Sequence, residues 1–260
     1  MLERTLGAAL FERDKREVRL TLAGRALLPH ARRVLEAWDT ACAAIDEVRR
    51  TQRATLVVGM STSPGRGGLL PAIRSRFSLD HPDATITIRQ VGWADPTAGL
   101  ADRTSDVAFV WLPLPQPSRY RWTVVVEERC LVAMTDRHRL ADRNAVDFDD
   151  LLDETFLALP ESAGPLRDYW LAVDHRHGRA PIVGAEITSA DETYESLVDG
   201  RGICLLASGN APSVTRGGVI IRPVNGLPPC QHALAWRRDH DHPLVAPHVD
   251  CARRVTGRSS

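Results

Sequence analysis

Hydroxyl side chains cluster in a loop that directly follows a predicted β-strand, and this loop is the first candidate for binding a small molecule. The strand is predicted over 54–60, and the loop runs from Ser61 to Gly68. Ser61, Thr62 and Ser63 stand beside several glycines, a combination able to hold a carboxylate or a similar anion. No Gly-Lys-Ser/Thr follows, so the loop is not a phosphate-binding P-loop. The alternative is a flexible glycine loop whose hydroxyls only cap the next helix.

Two later loops place polar side chains in the same position relative to a strand. Ser162 and Ser189 each follow a predicted strand and precede a predicted helix, and either Ser189 or Asp191 can cap the second of these helices. Trp111, at the end of a third predicted strand, and Ala207 would add apolar walls to a site formed by these loops. Packing between two lobes suits Trp111 equally well.

Motifs typical of enzymes are missing from the sequence. It contains no H-E-x-x-H, no G-x-S-x-G and no G-x-G-x-x-G after a strand. The segment 239–242 alternates Asp and His like a metal site, but it lies in a polar connection before Pro243, where such side chains are usually solvated. The five cysteines include no C-x-x-C pair. We therefore predict a protein that is not an enzyme and that uses no metal or cofactor.

A long helix with a regular apolar seam is predicted after Thr21, which is placed to cap it. Apolar residues recur along the helix at alternating steps of four and three residues. They are Leu27, Ala31, Val34, Trp38, Ala41, Ile45 and Val48. This heptad pattern is typical of a helix that packs lengthwise against a partner, which predicts dimerisation. The alternative is an amphipathic helix that lies on its own domain.

Strands and helices alternate after this helix, which predicts an α/β domain with parallel strands and right-handed crossovers. A short helix is predicted around 97–103. A second α/β unit follows, and the chain returns through a Pro/Gly-rich link at 225–229, so the two lobes should form a hinged cleft. The predicted boundaries are 21–53 for the helix and 54–260 for the domain, with lobe I over 54–128 and 226–260 and lobe II over 129–225.

Basic residues are concentrated at the N-terminal end of a chain whose net charge is zero. Residues 1–33 contain eight Lys/Arg against four Asp/Glu. Arg13, Lys15, Arg16 and Arg19 suit contacts with phosphate, although an exposed helical end without a partner would show a similar charge. No apolar run is long enough to cross a bilayer, and no secretory signal is visible. We therefore expect a cytoplasmic protein without a membrane partner.

Two motifs at a specific spacing lie in this N-terminal segment. They are Leu-Phe-x-Arg, ending at Arg13, and Leu-Thr-x-Ala-Gly, ending at Gly24. Together they closely resemble the LysR-type transcriptional regulators, and the segments 70–82, 106–110 and 202–206 agree with that family. The resemblance, which covers essentially the whole chain, implies a partial winged helix-turn-helix over 1–20. It also implies a dimerising linker helix and a two-lobed, periplasmic-binding-protein-like effector domain, in a homodimer or tetramer.

The resemblance implies that the three candidate loops face the effector cleft, with Ser189 a direct contact. It also implies that most of the DNA-reading helices would precede Leu2, so the printed residues alone should contact DNA phosphates without reading bases. The gene product is then either a longer regulator of transcription or a shortened paralogue that dimerises and binds effector without specific DNA binding. A cytoplasmic small-molecule-binding protein with the same fold is the third hypothesis.

Overall fold

The computed structural model describes residues 2–13, 18–62 and 68–257, and the chain divides into two compact units between Arg53 and Ala54. The elements of the first unit are α1 (Leu2–Leu6), β1 (Phe11–Arg13), β2 (Val18–Leu20) and α2 (Leu22–Ala54). Strands β1 and β2 pair antiparallel in a short hairpin, as expected of a wing. The predicted cap of α2 is present, since the Gly24 N–H donates to Thr21 Oγ1 at 3.0 Å. Lys15, Arg16 and Ser63 lie outside the described residues.

The apolar seam of α2 is largely exposed in the single chain. Val34 and Trp38 are 68% and 67% exposed, and Ile45 and Val48 are 54% and 57% exposed. Ala41 is also exposed, whereas Leu27 and Ala31 are half-buried. Burial of these four large apolar side chains against a partner surface would be favourable.

The second unit begins with a strand and ends with a helix, and most of its strands follow one another without an α-helix between them. Its strands and α-helices in chain order are β3 (Thr55–Met60), α3 (Leu69–Asp80), β4 (Thr85–Gln90), β5 (Val107–Trp111), β6 (Tyr120–Glu128), β7 (Cys130–Thr135), β8 (Val146–Asp147), β9 (Thr155–Ala158), α4 (Pro165–Trp170), β10 (Ile182–Glu186), α5 (Ala190–Val198), β11 (Cys204–Ala207), α6 (Ala211–Val214), β12 (Val219–Asn225), β13 (Cys230–Arg237) and α7 (Val245–Thr256).

These strands form one sheet in lobe I and two in lobe II. The sheet of lobe I has the order β4-β3-β5-β13-β6, with β3 parallel to β4 and β5, and β13 antiparallel to both of its neighbours. The larger sheet of lobe II has the order β11-β7-β12-β8, and a parallel bridge from Phe156 to Ile203 attaches the parallel pair β9–β10 beside it. The α/β fold with two lobes that the sequence predicts is confirmed.

Two chain crossings connect the lobes. Strand β6 ends in the first sheet and β7 starts in the second after Arg129, while β12 returns to β13 through residues 226–229. Hydrophobic clusters fill each lobe, and Trp111 of β5 also belongs to the core cluster of lobe II. The lobes therefore meet through apolar side chains as well as through the two crossings.

The short helix predicted around 97–103 is wrong: this segment is a series of tight turns. Ala98, Gly99 and Arg103 all have positive φ, which an α-helix does not allow. The Asp95 carboxylate stabilises the turn by accepting hydrogen bonds from the N–H groups of Thr97 and Gly99, at 2.9 and 2.7 Å. Local side-chain hydrogen bonds of this kind compete with the hydrogen bonds of a helix. No helix within the described residues is both long and apolar enough to cross a membrane.

Helix α7 carries a histidine that is fully buried against α3. The rings of His248 and Phe77 have centroids 5.4 Å apart in an edge-on arrangement. Within the described residues neither ring nitrogen of His248 has a hydrogen-bond partner. Burial lowers the pKa of His248 from 6.5 to about 4, because the charged imidazolium would lose its hydration.

We expect acid to destabilise the fold through this residue. Between pH 6.5 and about 4 the unfolded chain binds a proton at His248 that the folded chain does not. The free energy of unfolding therefore decreases as the pH is lowered through this range. The loss from this group should reach about 2 kcal/mol at pH 5. Urea unfolding at pH 7 and pH 5 measures it. The pH dependence of the free energy of unfolding should shrink in His248→Leu. It should persist in the control His30→Gln, since His30 is exposed on α2. Equal pH dependence in the two variants would contradict the prediction.

Candidate functional site

A cavity of about 830 Å³ opens where the strand-end loops of the two lobes face each other. Its lobe I wall includes the loops after β3 and β4 and the last residue of β5, and its lobe II wall includes α4 and the segments at the ends of β9, β10 and β11. Loops that leave a sheet at the ends of neighbouring strands naturally surround such a crevice. The volume suits a small organic molecule.

Four residues singled out from the sequence line this cavity: Ser61, Thr62, Trp111 and Ser189. Ser61 and Thr62 directly follow β3, and Trp111 ends β5, which lies next to β3 in the sheet. The Trp111 indole N–H donates to Thr62 Oγ1 at 3.1 Å, so the two side chains are held together. Trp111 is only 4% exposed and contacts Trp170 of α4 edge-on, with ring centroids 5.7 Å apart. It therefore both packs between the lobes and borders the cavity.

The Trp111–Thr62 hydrogen bond leads to a prediction. Thr62→Val keeps the shape of the side chain but removes the acceptor, so we expect a loss of about 1 kcal/mol in the free energy of unfolding. Thr87→Val, at an exposed position on β4, is the matched control and should change stability by less than about 0.5 kcal/mol. Chemical denaturation compares the two, and equal stability of both variants would show that this hydrogen bond contributes nothing net.

Ser189 caps the helix that faces the cavity from lobe II. Its Oγ accepts from the Glu192 N–H at 3.2 Å, as expected of an N-cap serine at the start of α5. The Glu192 carboxylate turns back and accepts from both the N–H and the hydroxyl of Thr188, each at 2.6 Å. The side-chain hydrogen bond from Thr188, followed by its backbone N–H, lowers the pKa of Glu192. The Glu192 carboxylate therefore already lies at the start of α5.

Ser162 and Ala207, also predicted as effector contacts, do not line the cavity. The Ser162 hydroxyl donates to the Ala94 carbonyl at 3.0 Å and so connects the lobes instead. Ala207 is fully buried in the core of lobe II, where its methyl group has no free surface, and Leu206 and Gly209 line the cavity in its place.

Two tryptophans that the sequence reasoning missed also border the cavity. Trp93, just after β4, packs against both hydrophobic clusters of lobe II, and its indole N–H donates to the Ser61 carbonyl at 3.3 Å. Trp170, at the end of α4, packs edge-on against Trp111. Trp93 could have been predicted as a lining residue, because it closely follows β4, which lies beside β3 in the same sheet. No local signal pointed to Trp170, because it reaches the site only when the lobes meet.

The thiol that lines the cavity, that of Cys204, is buried and not activated. Burial raises the pKa of the Cys204 thiol to about 12, so it stays protonated at neutral pH. The segment 239–242 lies elsewhere: His240 Nε2 is 3.1 Å from Asp106 Oδ1, and Asp239 pairs with Arg103 and Arg237. Within the described ranges, no group of three or more potential ligands is placed to hold a metal ion.

The residues predicted to contact DNA belong to the first unit. Arg13 ends β1, and Arg19 is exposed on β2, where it lies opposite Glu12 in the hairpin. Lys15 and Arg16 lie outside the described residues. Two of the four predicted residues thus lie on the paired strands β1 and β2.

Comparisons with known proteins agree with this geometry. The model of the LysR substrate binding domain matches residues 49–257. The HTH-type transcriptional regulator XapR of Escherichia coli (strain K12) is 29% identical over 244 residues, which cover 94% of this chain and 82% of XapR. A crystal structure of a full-length BenM variant has a TM-score of 0.69 at 23% identity and covers 98% of this chain and 84% of that one. Full-length CbnR, solved with its target DNA, has a TM-score of 0.58 at 22% identity, with 98% and 86% covered. The chain belongs to the LysR family of transcriptional regulators.

Proposed function

We propose that this chain regulates transcription by binding a small-molecule effector in the cavity between its lobes. The observation that carries the proposal is the cavity itself, enclosed by strand-end loops from both lobes and lined by Ser61, Thr62 and Ser189. An effector that binds one arrangement of the lobes more tightly than another shifts their equilibrium, and this differential affinity is all that control requires. A protein with this role is not an enzyme and works in the cytoplasm, where the chromosome is accessible.

In the proposed organisation, residues 1–20 contact DNA, 21–53 form the dimerising linker helix and 54–260 bind the effector. Arg13, Lys15, Arg16 and Arg19 would contact phosphates, which position a protein on DNA without specifying sequence. The full-length CbnR structure, solved with target DNA, supports a DNA-binding role for the matching part of this chain. The exposed seam of α2 supports a homodimer, and pairs of such dimers would form a tetramer.

A variant with a filled cavity tests this proposal. Gly92 lines the cavity, and a Cβ atom built on it meets nothing within 4 Å, so Gly92→Trp should place an indole in the effector's space without disturbing the fold. Gly217 has equally open surroundings but does not line the cavity, so Gly217→Trp is the matched control. The test uses cells that lack the gene and into which one version of it is reintroduced. The wild-type and the Gly217→Trp versions should both restore transcript levels that respond to growth conditions. With Gly92→Trp the levels should be fixed in one state.

Identical transcript profiles with and without the gene would overturn the regulatory role. A wild-type response from Gly92→Trp would show that control does not pass through this cavity.

A further inference from the structure

The lining of the cavity is apolar and rich in tryptophan. Trp93, Trp111 and Trp170 border it together with leucine, isoleucine and valine side chains, and the apolar part of the lining far exceeds the polar part. Two of the three indole N–H groups are already engaged, Trp111 with Thr62 and Trp93 with the Ser61 carbonyl. These two tryptophans therefore offer a ligand mainly ring surface, which suits stacking with another aromatic group.

The charges around the cavity disfavour an anion. Among the described residues that line it, the one charged side chain is Asp95, and none is Lys, Arg or His. Both carboxylate oxygens of Asp95 are occupied by the turn that follows, Oδ1 by the N–H and hydroxyl of Thr97 and Oδ2 by the N–H of Gly99. Asp95 therefore contributes negative charge to the wall, while its oxygens accept three hydrogen bonds from the turn.

The helix start that could have bound a carboxylate already has the Glu192 carboxylate turned back onto it. A free helix N-terminus attracts anions because its first N–H groups lack partners and its dipole is positive there. At α5, however, Ser189 accepts the Glu192 N–H, and the Glu192 carboxylate takes the Thr188 N–H and hydroxyl. Asp191, also in the first turn, accepts a hydrogen bond from Arg216 at 2.9 Å and is paired with it. An incoming carboxylate would meet the Glu192 carboxylate at the start of this helix.

We propose that the effector is an uncharged aromatic molecule, held by the tryptophan faces of the cavity and oriented by neutral hydrogen bonds. This inference rests on the proposed function and names the ligand class of the same site. It differs from the expectation that the hydroxyl loop after β3 holds a carboxylate. Thr62 Oγ1 already accepts from Trp111, so its hydroxyl hydrogen remains to donate to a carbonyl or phenol oxygen. Burial of a carboxylate without a cationic partner costs far more than burial of an amide that keeps hydrogen bonds.

Matched fragment pairs test the ligand class. The panel consists of one- and two-ring aromatic carboxylic acids, each paired with its primary carboxamide, at pH 7.5, where the acids are ionised. Saturation-transfer NMR with the full chain detects binding, and titration ranks each pair. We expect the carboxamides to bind and each acid to bind at least roughly tenfold more weakly. Acids that bind as tightly as their amides, or a panel in which no fragment binds, would overturn the proposal.

Variants locate the binding. Trp170→Ala should weaken carboxamide binding roughly three- to tenfold through the lost ring contact, while Trp170→Phe retains a ring and most of the affinity. Trp122, 39% exposed on β6 and outside the cavity, supplies the control Trp122→Ala, which should bind like the wild type. Equal affinity of the alanine and phenylalanine variants at position 170 would count against an aromatic contact. Tight amide binding by a protein whose deletion leaves transcription unchanged would refute the regulatory function and leave the ligand class intact.

Discussion

Replacing Trp38 and Ile45 together with glutamate should halve the molar mass of this protein in solution. Both side chains lie on the α2 seam and are 67% and 54% exposed in the single chain. If the seam forms the interface, two chains bury four such side chains, each worth about 1.5 kcal/mol. Their loss would weaken association by roughly 6 kcal/mol, or about four orders of magnitude in the dissociation constant. The introduced carboxylates would also repel each other across the seam.

Light scattering coupled to size-exclusion chromatography measures this change directly. A dimer should become a monomer. A tetramer in which the second units also contact each other should become a dimer. Thr40→Glu with Ala43→Glu adds the same charge to the same helix away from the seam, so this double variant should keep the wild-type mass. If the Trp38/Ile45 variant also keeps that mass, α2 is not the dimerisation helix and its apolar seam has another role.

Gly59→Ala should lower the free energy of unfolding by about 3 kcal/mol, the largest stability effect that we expect from adding one methyl group. A Cβ atom at Gly59 would lie 2.0 Å from the Ala98 carbonyl oxygen and 2.5 Å from Ser105 Oγ. The carbonyl belongs to the buried turn held by Asp95, so it cannot move aside without breaking that turn's hydrogen bonds. The close approach of this turn to β3 is possible only because residue 59 has no side chain.

Gly217→Ala provides the control for this effect. A Cβ atom at Gly217 meets nothing within 4 Å, so we expect a change of less than about 0.5 kcal/mol. Thermal or urea unfolding of the two variants gives the comparison. A Gly59→Ala protein with wild-type stability would mean that the turn can move away from β3, and the wall of the cavity that contains Asp95 would then not be rigid.

Local patterns were sufficient to predict most of the secondary structure. Strands β3 and β5 were predicted to within one residue, because each is a short apolar run bounded by polar or turn-forming residues. The capping of α2 by Thr21 followed from the preferences of residues at helix starts, and the same preferences narrowed the cap of α5 to Ser189 or Asp191, of which the structure has Ser189. The helix predicted at 97–103 is wrong because three residues there have positive φ and the Asp95 hydrogen bonds hold the segment in turns.

Part of the candidate site could also be predicted from the sequence. Ser61, Thr62, Trp111 and Ser189 were found because the ends of strands in an α/β lobe point to one edge of the sheet, and this rule needs no knowledge of distant contacts. The same rule suggested Ser162 and Ala207. It failed there because strand-end position does not determine whether a side chain faces the cavity, the other lobe or the core.

The sequence by itself determined the family, the α/β class, the apolar seam of α2 and the loops from which a binding site could be built, since all of these depend on local spacing and residue type. Only the tertiary structure decided which side chains meet. Trp170 reaches Trp111 from the other lobe, and Arg176 is fully buried with its guanidinium 4.5 Å from the centre of the Phe156 ring. The chemical character of the cavity, aromatic and without a cation among its described lining residues, also emerged only there. The reason is that contacts between residues far apart in the chain depend on how the two lobes pack, and no local pattern encodes that packing.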